Sequence, residues 1–275
     1  MSGSLSSWLA LRETADRAAR SIALTRALAG VMPLGRSVRI LDLGAGTGAN
    51  MRYLWPFFNV PQEWLLVDLD QELLTEGAWR VSPADNIRVD TLQMNLGALD
   101  RPEIFSGRDL VTASALLDLV SESWLQRLAT HCRSAGANVL FALTYDGRST
   151  CSPSDPDDDK IRQLMNTHQR HNDKGFGPAA GPDGIDAAAR AFTAEGYDVR
   201  RARSDWELQA NEREFQRQLF EGWAQAAREI APDQSAMIDA WYRRRVEHLV
   251  HGQSTVIVGH EDLIGLLSPG VFGPK

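Results

Sequence analysis

Two carboxylates bracket a glycine-rich turn in this chain. Asp42 stands before Gly44-Ala45-Gly46-Thr47-Gly48, and Asp68 ends the next apolar run. Glycines let a backbone approach a ligand closely, and a helix after such a turn offers unpaired N–H groups at its start. A carboxylate at the end of the second strand can accept both hydroxyls of a ribose, so the two features together expect a nucleoside. The turn also satisfies a loose G-x-G-x-x-A pattern, which dinucleotide enzymes share. Asp42 argues against that ligand. A pyrophosphate at the helix N-terminus would be repelled by a carboxylate two residues before the first glycine, whereas a free ammonium would be attracted.

Other residues able to do chemistry lie further along. His168 and His171 are three apart on one expected helix face, followed by Asn172, Lys174 and Phe176 beside a hinge-like "GFGPAAGP". They read as a general base or acceptor ligands under a lid, or as the polar face of a helix. No third ligand stands at a recognisable spacing, so no metal is expected. Asp118 follows the fourth apolar run, and Tyr145 and Asp146 leave the fifth. Each reads equally as an acceptor contact or as a structural group. The acids Asp157, Asp158 and Asp159 read as first-turn complements to a helix dipole, and "RRR" at Arg243 to Arg245 as a solvated helix face. Trp206, Trp223 and Trp241 read as core, and His260 as structural.

The elements that must position these groups follow from periodicity. Residues 7–29 recur at helical spacing until Gly30 and Pro33. "VRILDLG", "EWLLVDLD", "DLVTASALLDLV" and "ANVLFALTY" are near-continuous apolar runs, as parallel strands covered on both faces require. "NIRVDTLQM" alternates in strand fashion, and helical segments lie between the runs. The alternation gives a doubly wound α/β sheet. After Tyr145 a loop, "DGRSTCSPSDPDDD", leads to a helix through about His171 and then a glycine- and proline-rich turn. A helix at 185–195, a strand "YDVRRARSDW", helices at 207–230 and 235–250, and a last strand "STVIVGHEDL" complete the chain.

S-adenosylmethionine has a ribose, an adenine and an amino acid where a dinucleotide has its pyrophosphate. "ILDLGAGTGAN", "LLVDLDQELL", "LQMNLGAL" and "DLVTASALLDLVS" together resemble the four motifs of the class I S-adenosylmethionine-dependent methyltransferases, over about residues 36–145. The resemblance implies a seven-stranded Rossmann-like sheet in the order 3-2-1-4-5-7-6, with strand 7 antiparallel and helical cap or lid insertions. It implies that Asp42 meets the methionine ammonium, directly or through water, and that Gly44, Ala45 and Gly46 line the methionine. Asp68 would hold the ribose, and Leu69, Asn95 and Leu96 would border the adenine. Asn95 falls where the family usually has an acid facing the adenine amino group. Ser114 and Ala115 would sit by the sulfonium, and Arg12 would pair with the ligand carboxylate or remain a surface arginine.

At 275 residues, with 43% hydrophobic and 24% charged content, the chain is expected to form one globular domain. Its parts are a helical cap at 1–35, a cofactor core at 36–145, a lid at 146–184, and terminal strands at 185–275 with a helical insertion at 207–250. A net charge of −7 disfavours nucleic acid as a partner. Two cysteines suit a reducing compartment. No apolar run approaches ~18 residues, and the N-terminus does not read as a signal peptide, so a cytoplasmic protein without membrane association is expected. The lid-sized insertions favour a small organic acceptor, methylated at oxygen or nitrogen, in a monomer or homodimer. An NAD(P)-dependent oxidoreductase and a non-catalytic cofactor-binding regulatory protein are the alternatives. Asp68→Ala is expected to abolish cofactor binding and leave the fold intact, read by calorimetric titration beside circular dichroism; unchanged affinity would remove the ribose assignment.

Overall fold

The computed structural model describes residues 2–79, 86–171, 173 and 175–267. Strands β1 (Val38–Leu43), β2 (Gln62–Asp68), β3 (Ile87–Gln93), β4 (Leu110–Ser114) and β5 (Asn138–Ser152) pair in parallel in the order β3-β2-β1-β4-β5. β8 (Thr255–Leu266) runs antiparallel beside β5, and β6 (Asp198–Arg203) closes the edge. The order is the expected one, with one strand more. The run expected as a single strand before the last helices divides at Ser204 and Asp205 into β6 and a short β7 (Trp206–Leu208). The break occurs where the Asp205 carboxylate, at 3.1 Å, accepts the backbone N–H of His260.

Each central strand buries both faces. In β1, Val38 and Ile40 face one side, covered by α2 (Ile22–Ala29), α3 (Ala49–Leu54) and α4 (Gln71–Trp79). Leu41 and Leu43 face the other, under α5 (Glu122–Ala135) and α7 (Gly184–Ala194). Asp42 therefore shares the Ile40 side, the side of α2 and α3.

A third core lies beyond the sheet. α1 (Ser2–Ala19), α6 (Asp158–His171), α8 (Arg213–Ile230) and α9 (Ser235–Val250) pack on β7 and on the distal parts of β5 and β8. Here sequence expectation and structure differ. β5 does not end at Tyr145: Ser149 to Ser152 pair with Val258 to Thr255, so much of the expected loop is strand, made possible by the long partner β8. The leading helix is two helices, broken at Ser21, whose Oγ caps α2 by accepting from Leu24 N–H at 3.3 Å. The fourth run leaves its strand at Ser114, and α8 starts at Arg213 because the preceding segment forms β7.

The basic run on α9 is no solvated face. Arg245 is fully buried; it pairs with Asp158 and donates to the Pro153 carbonyl at 2.6 Å, while Trp241 Nε1 donates to Asp158 at 2.8 Å. Arg244 grips Asp155 and Asp157. Two of the acids read as dipole complements, Asp157 and Asp158, are thus also part of the clamp that seats α9 on the start of α6, while Asp159 pairs with Arg162 of its own helix. Both cysteines are free and buried, and no helix among the described residues is long and apolar enough to cross a membrane. Asp158→Ala would strand a buried guanidinium and is expected to cost about 3–5 kcal/mol in urea unfolding, against under about 0.5 kcal/mol for Ala at the exposed Arg243.

Candidate functional site

The glycine turn follows β1 with Gly44, Gly46 and Gly48 at φ values of +64°, +51° and +75°, conformations that side chains disfavour. Its shape is held from several directions. Gly46 N–H donates to Asp68 Oδ2 at 2.8 Å, and Ala45 N–H to the Val67 carbonyl at 3.0 Å. The Arg52 guanidinium meets the Thr47 carbonyl and pairs with Glu13 of α1. Gly77 of α4 backs the turn so closely that a Cβ there would stand 2.9 Å from the Thr47 carbonyl carbon.

A cleft with two lobes opens on the turn, and Leu9, Arg12, Gly44, Gly46 and Ser114 line both. The smaller lobe, about 70 Å³, is the one where charged and polar side chains gather: α1 and its end supply Arg12, Asp16 and Arg20, and α3 supplies Asn50 and Tyr53. The larger lobe, about 370 Å³, holds Asp68, Leu69, Asn95, Leu96 and Ala115 among apolar walls that include Met94, Leu116 and Phe176. The arrangement suits a ligand that is zwitterionic at one end and flat, apolar and hydroxylated at the other.

Asp42 lies beneath the smaller lobe, fully buried, and is not itself part of the wall. Asn50 stands between: its amide donates to Asp42 Oδ1 at 2.8 Å, and its oxygen accepts from Arg20 at 2.9 Å. Asp42 Oδ2, Arg20 Nε and one Arg20 terminal nitrogen have no hydrogen-bond partner among the described residues. Burial pushes the Asp42 carboxyl up to about 7, against the opposing pull of the Asn50 hydrogen bond and the Arg20 charge. Burial likewise lowers the pKa of Arg20, which stacks over Tyr53 at 4.3 Å. Of the two residues only Arg20 lines the lobe, while Asp42 Oδ2 lies behind Asn50.

The expected cofactor residues converge here. Asp68 accepts from Gly46 and Asp70 N–H groups, which leaves about half of its lone-pair sites for a further donor. Leu69 is 63% exposed at the rim. Asn95 is less free than expected, because its oxygen already accepts from Gly97 N–H at 2.8 Å. Ala115 takes a positive φ of 53°, with its N–H bonded to the Ala142 carbonyl. Arg12 reaches both lobes, with its Nε held by Asp16 at 2.8 Å and its guanidinium over Trp206. Arg20, Asn50 and Tyr53 escaped the sequence reading. The available signal was an arginine closing the apolar stripe of α1 and an amide directly after the glycine turn.

The expected catalytic group does not assemble. His168 bonds Glu229 on the α6–α8 surface at 2.8 Å. Tyr145 is buried in the cap, its hydroxyl donating to Asn166 at 2.8 Å, and burial raises its pKa. Asp118 is buried under the Gly181–Gly184 turn, its carbonyl accepting from Gly181 N–H. None of the three lines either lobe, since the continuation of β5 carries Tyr145 and α6 into the cap core. The side chain of His171, together with Asn172 and Lys174, lies outside what the structure describes.

No family model and no curated protein matches this chain. Among solved structures it is similar to a cyclopropane-fatty-acyl-phospholipid synthase-like protein from Lactobacillus casei, at 11% identity over 92% of both chains with a TM-score of 0.54. It is also similar to the cyclopropane synthase MmaA2 from Mycobacterium tuberculosis (12% identity, 89% of this chain and 84% of that one, TM-score 0.46). YcgJ from Bacillus subtilis matches at 14% identity over 89% of this chain and 99% of that one, with a TM-score of 0.48. The first of these shows the fold, a Rossmann-like sheet flanked by helices.

The Asp42 environment sets a pH dependence. Its folded pKa lies above its unfolded value, so the folded state binds the extra proton and stability falls as pH rises from about 4 through about 7. Asp42→Asn removes that contribution. Urea unfolding in a pH series is expected to show the variant gaining on the wild type across this window; a constant difference would contradict the buried-carboxyl description.

Proposed function

We propose that this chain is an S-adenosylmethionine-dependent methyltransferase acting on oxygen or nitrogen of a small organic molecule. The observation that carries the reading is the pairing of unsatisfied buried charge at one end of the cleft with Asp68 and apolar walls at the other. Arg20 and Arg12 would face the ligand carboxylate, and Asn50, backed by Asp42, its ammonium. Asp68 would hold the ribose, with Leu69, Asn95 and Leu96 bordering the base.

When bound, the cofactor supplies an electrophilic methyl group on a sulfonium, open to direct displacement. The chain's part is to align the acceptor at the Ser114–Ala115 end of β4 and to keep water out with Leu9, Leu116 and Phe176. No histidine or cysteine is among the described lining residues of either lobe. Alignment and desolvation, rather than proton abstraction by an imidazole, are what this lining provides.

Parallel calorimetric titrations with S-adenosylmethionine, S-adenosylhomocysteine and NADH test the reading. Micromolar binding of the two sulfur ligands without NADH heat is the expected result and opens a screen of acceptors. NADH binding alone would mean that the turn holds a pyrophosphate and that the Asp42 argument fails.

A further inference from the structure

Asp262 of β8 is a buried carboxylate outside the cleft wall, and its side chain is 0% exposed. β5 carries one extra residue opposite it: Phe141 pairs with Leu263 and Thr144 with Glu261, so Ala142 and Leu143 together face Asp262. Leu143 takes a positive φ of 53°, and the N–H that the bulge withdraws from the ladder donates to Asp262 Oδ1 at 2.9 Å. Asp262 Oδ2 accepts from Ser21 N–H at 2.8 Å, at the joint between α1 and α2, and lies 3.6 Å from Arg20 Nε.

These contacts join the two walls of the cleft. On one side Asp262 holds the joint from which α1 covers the polar lobe, and it stands beside the guanidinium that closes that lobe. On the other it fixes the bulge, whose Ala142 carbonyl accepts from Ala115 N–H at 2.9 Å. Ala115 lines the larger lobe. A carboxylate kept from water at the meeting of three chain segments is costly to bury, and its attraction for Arg20 fixes where the remaining guanidinium N–H groups point.

We propose that Asp262 is a positioning residue for the amino-acid end of the cofactor, acting by aiming Arg20 into the polar lobe. This rests on the methyltransferase reading above. It goes beyond that reading by assigning recognition of the ligand carboxylate to a pair, one member of which never touches the ligand and lies on the last strand. A purely architectural Asp262 would affect stability and every ligand alike. A positioning Asp262 affects only ligands that carry the amino-acid group, because an Asn at 262 keeps an oxygen for the Leu143 N–H and so leaves the bulge and Ala115 in place.

The test compares S-adenosylhomocysteine with 5′-methylthioadenosine, which keeps the nucleoside and thioether but lacks the amino acid. Both are titrated into wild type, Asp262→Asn and Arg20→Met. Expected in each variant is a loss of about tenfold or more in affinity for S-adenosylhomocysteine with the methylthioadenosine affinity unchanged, and no further loss in the double variant. Equal losses for both ligands, or unchanged affinities, overturn the proposal. Arg20→Met leaves the bulge untouched, so it decides the point if Asp262→Asn does not fold; a wild-type preference in that variant overturns the proposal. Wild-type protein that binds neither nucleoside overturns the cofactor reading itself, whereas a wild type that binds both with an insensitive Asp262 removes only the positioning role.

Discussion

One guanidinium and two carboxylates are buried together beneath the cleft, and the rest of the site is arranged around that constraint. Arg20, Asp42 and Asp262 come from the end of α1, from β1 and from β8, and all three are almost wholly removed from water. A buried charge without partners costs several kcal/mol, so the three segments must meet in a definite geometry for the fold to be stable. Asn50 mediates between Arg20 and Asp42, and Thr112 receives its second N–H bond at 3.1 Å while donating to the Leu140 carbonyl. The polar network thus runs through the middle of the sheet, and the small lobe is its open end.

Backbone strain sits at the same place. Ala115 and Leu143 both have positive φ without being glycine, and Ala115 is bonded to Ala142, beside Leu143. Each such conformation costs of order 1–3 kcal/mol and persists only where the surroundings over-determine it. Here they are over-determined by the carboxylate of Asp262 and by the packing of Leu143 in the cap core. The strained end of β4 also lines the larger lobe of the cleft.

The cap is a second structure built on the first. β5 and β8 outrun the parallel sheet, and their paired ends carry a core of α1, α6, α8 and α9. His260 packs beside that core, its ring tilted against Trp206 with centroids 4.6 Å apart, and burial pushes its imidazole down to about 3, which keeps it neutral. Trp206 in turn donates to Asp16, next to Arg12. The aromatic cluster therefore seats the helix that roofs the polar lobe.

How much of this was legible follows from the range of each interaction. The strand–turn–helix of Asp42, Gly44, Gly46 and Asp68 is local, so spacing and residue type carried it; the apolar runs carried a doubly wound sheet, and the strand order came from the family resemblance. Ser114 and Ala115 came from the family resemblance, and the strand that leads to them ends sooner than its apolar run. The roles of His168, Tyr145 and Asp118 were not legible, because their partners (Glu229, Asn166 and the turn at Gly181) are distant in sequence and the side chains equally suit a catalytic site. Arg245 looked solvated for the same reason, until Asp158 was brought to it. By itself the sequence determined the sheet and the ligand-facing turn, since both arise from periodicity and backbone freedom. Only the tertiary structure decided which charges are buried and with what partners, because burial is a property of segments that meet, and Arg20 became part of the cleft wall beside Asp262 and Asn50 rather than through its neighbours in the chain.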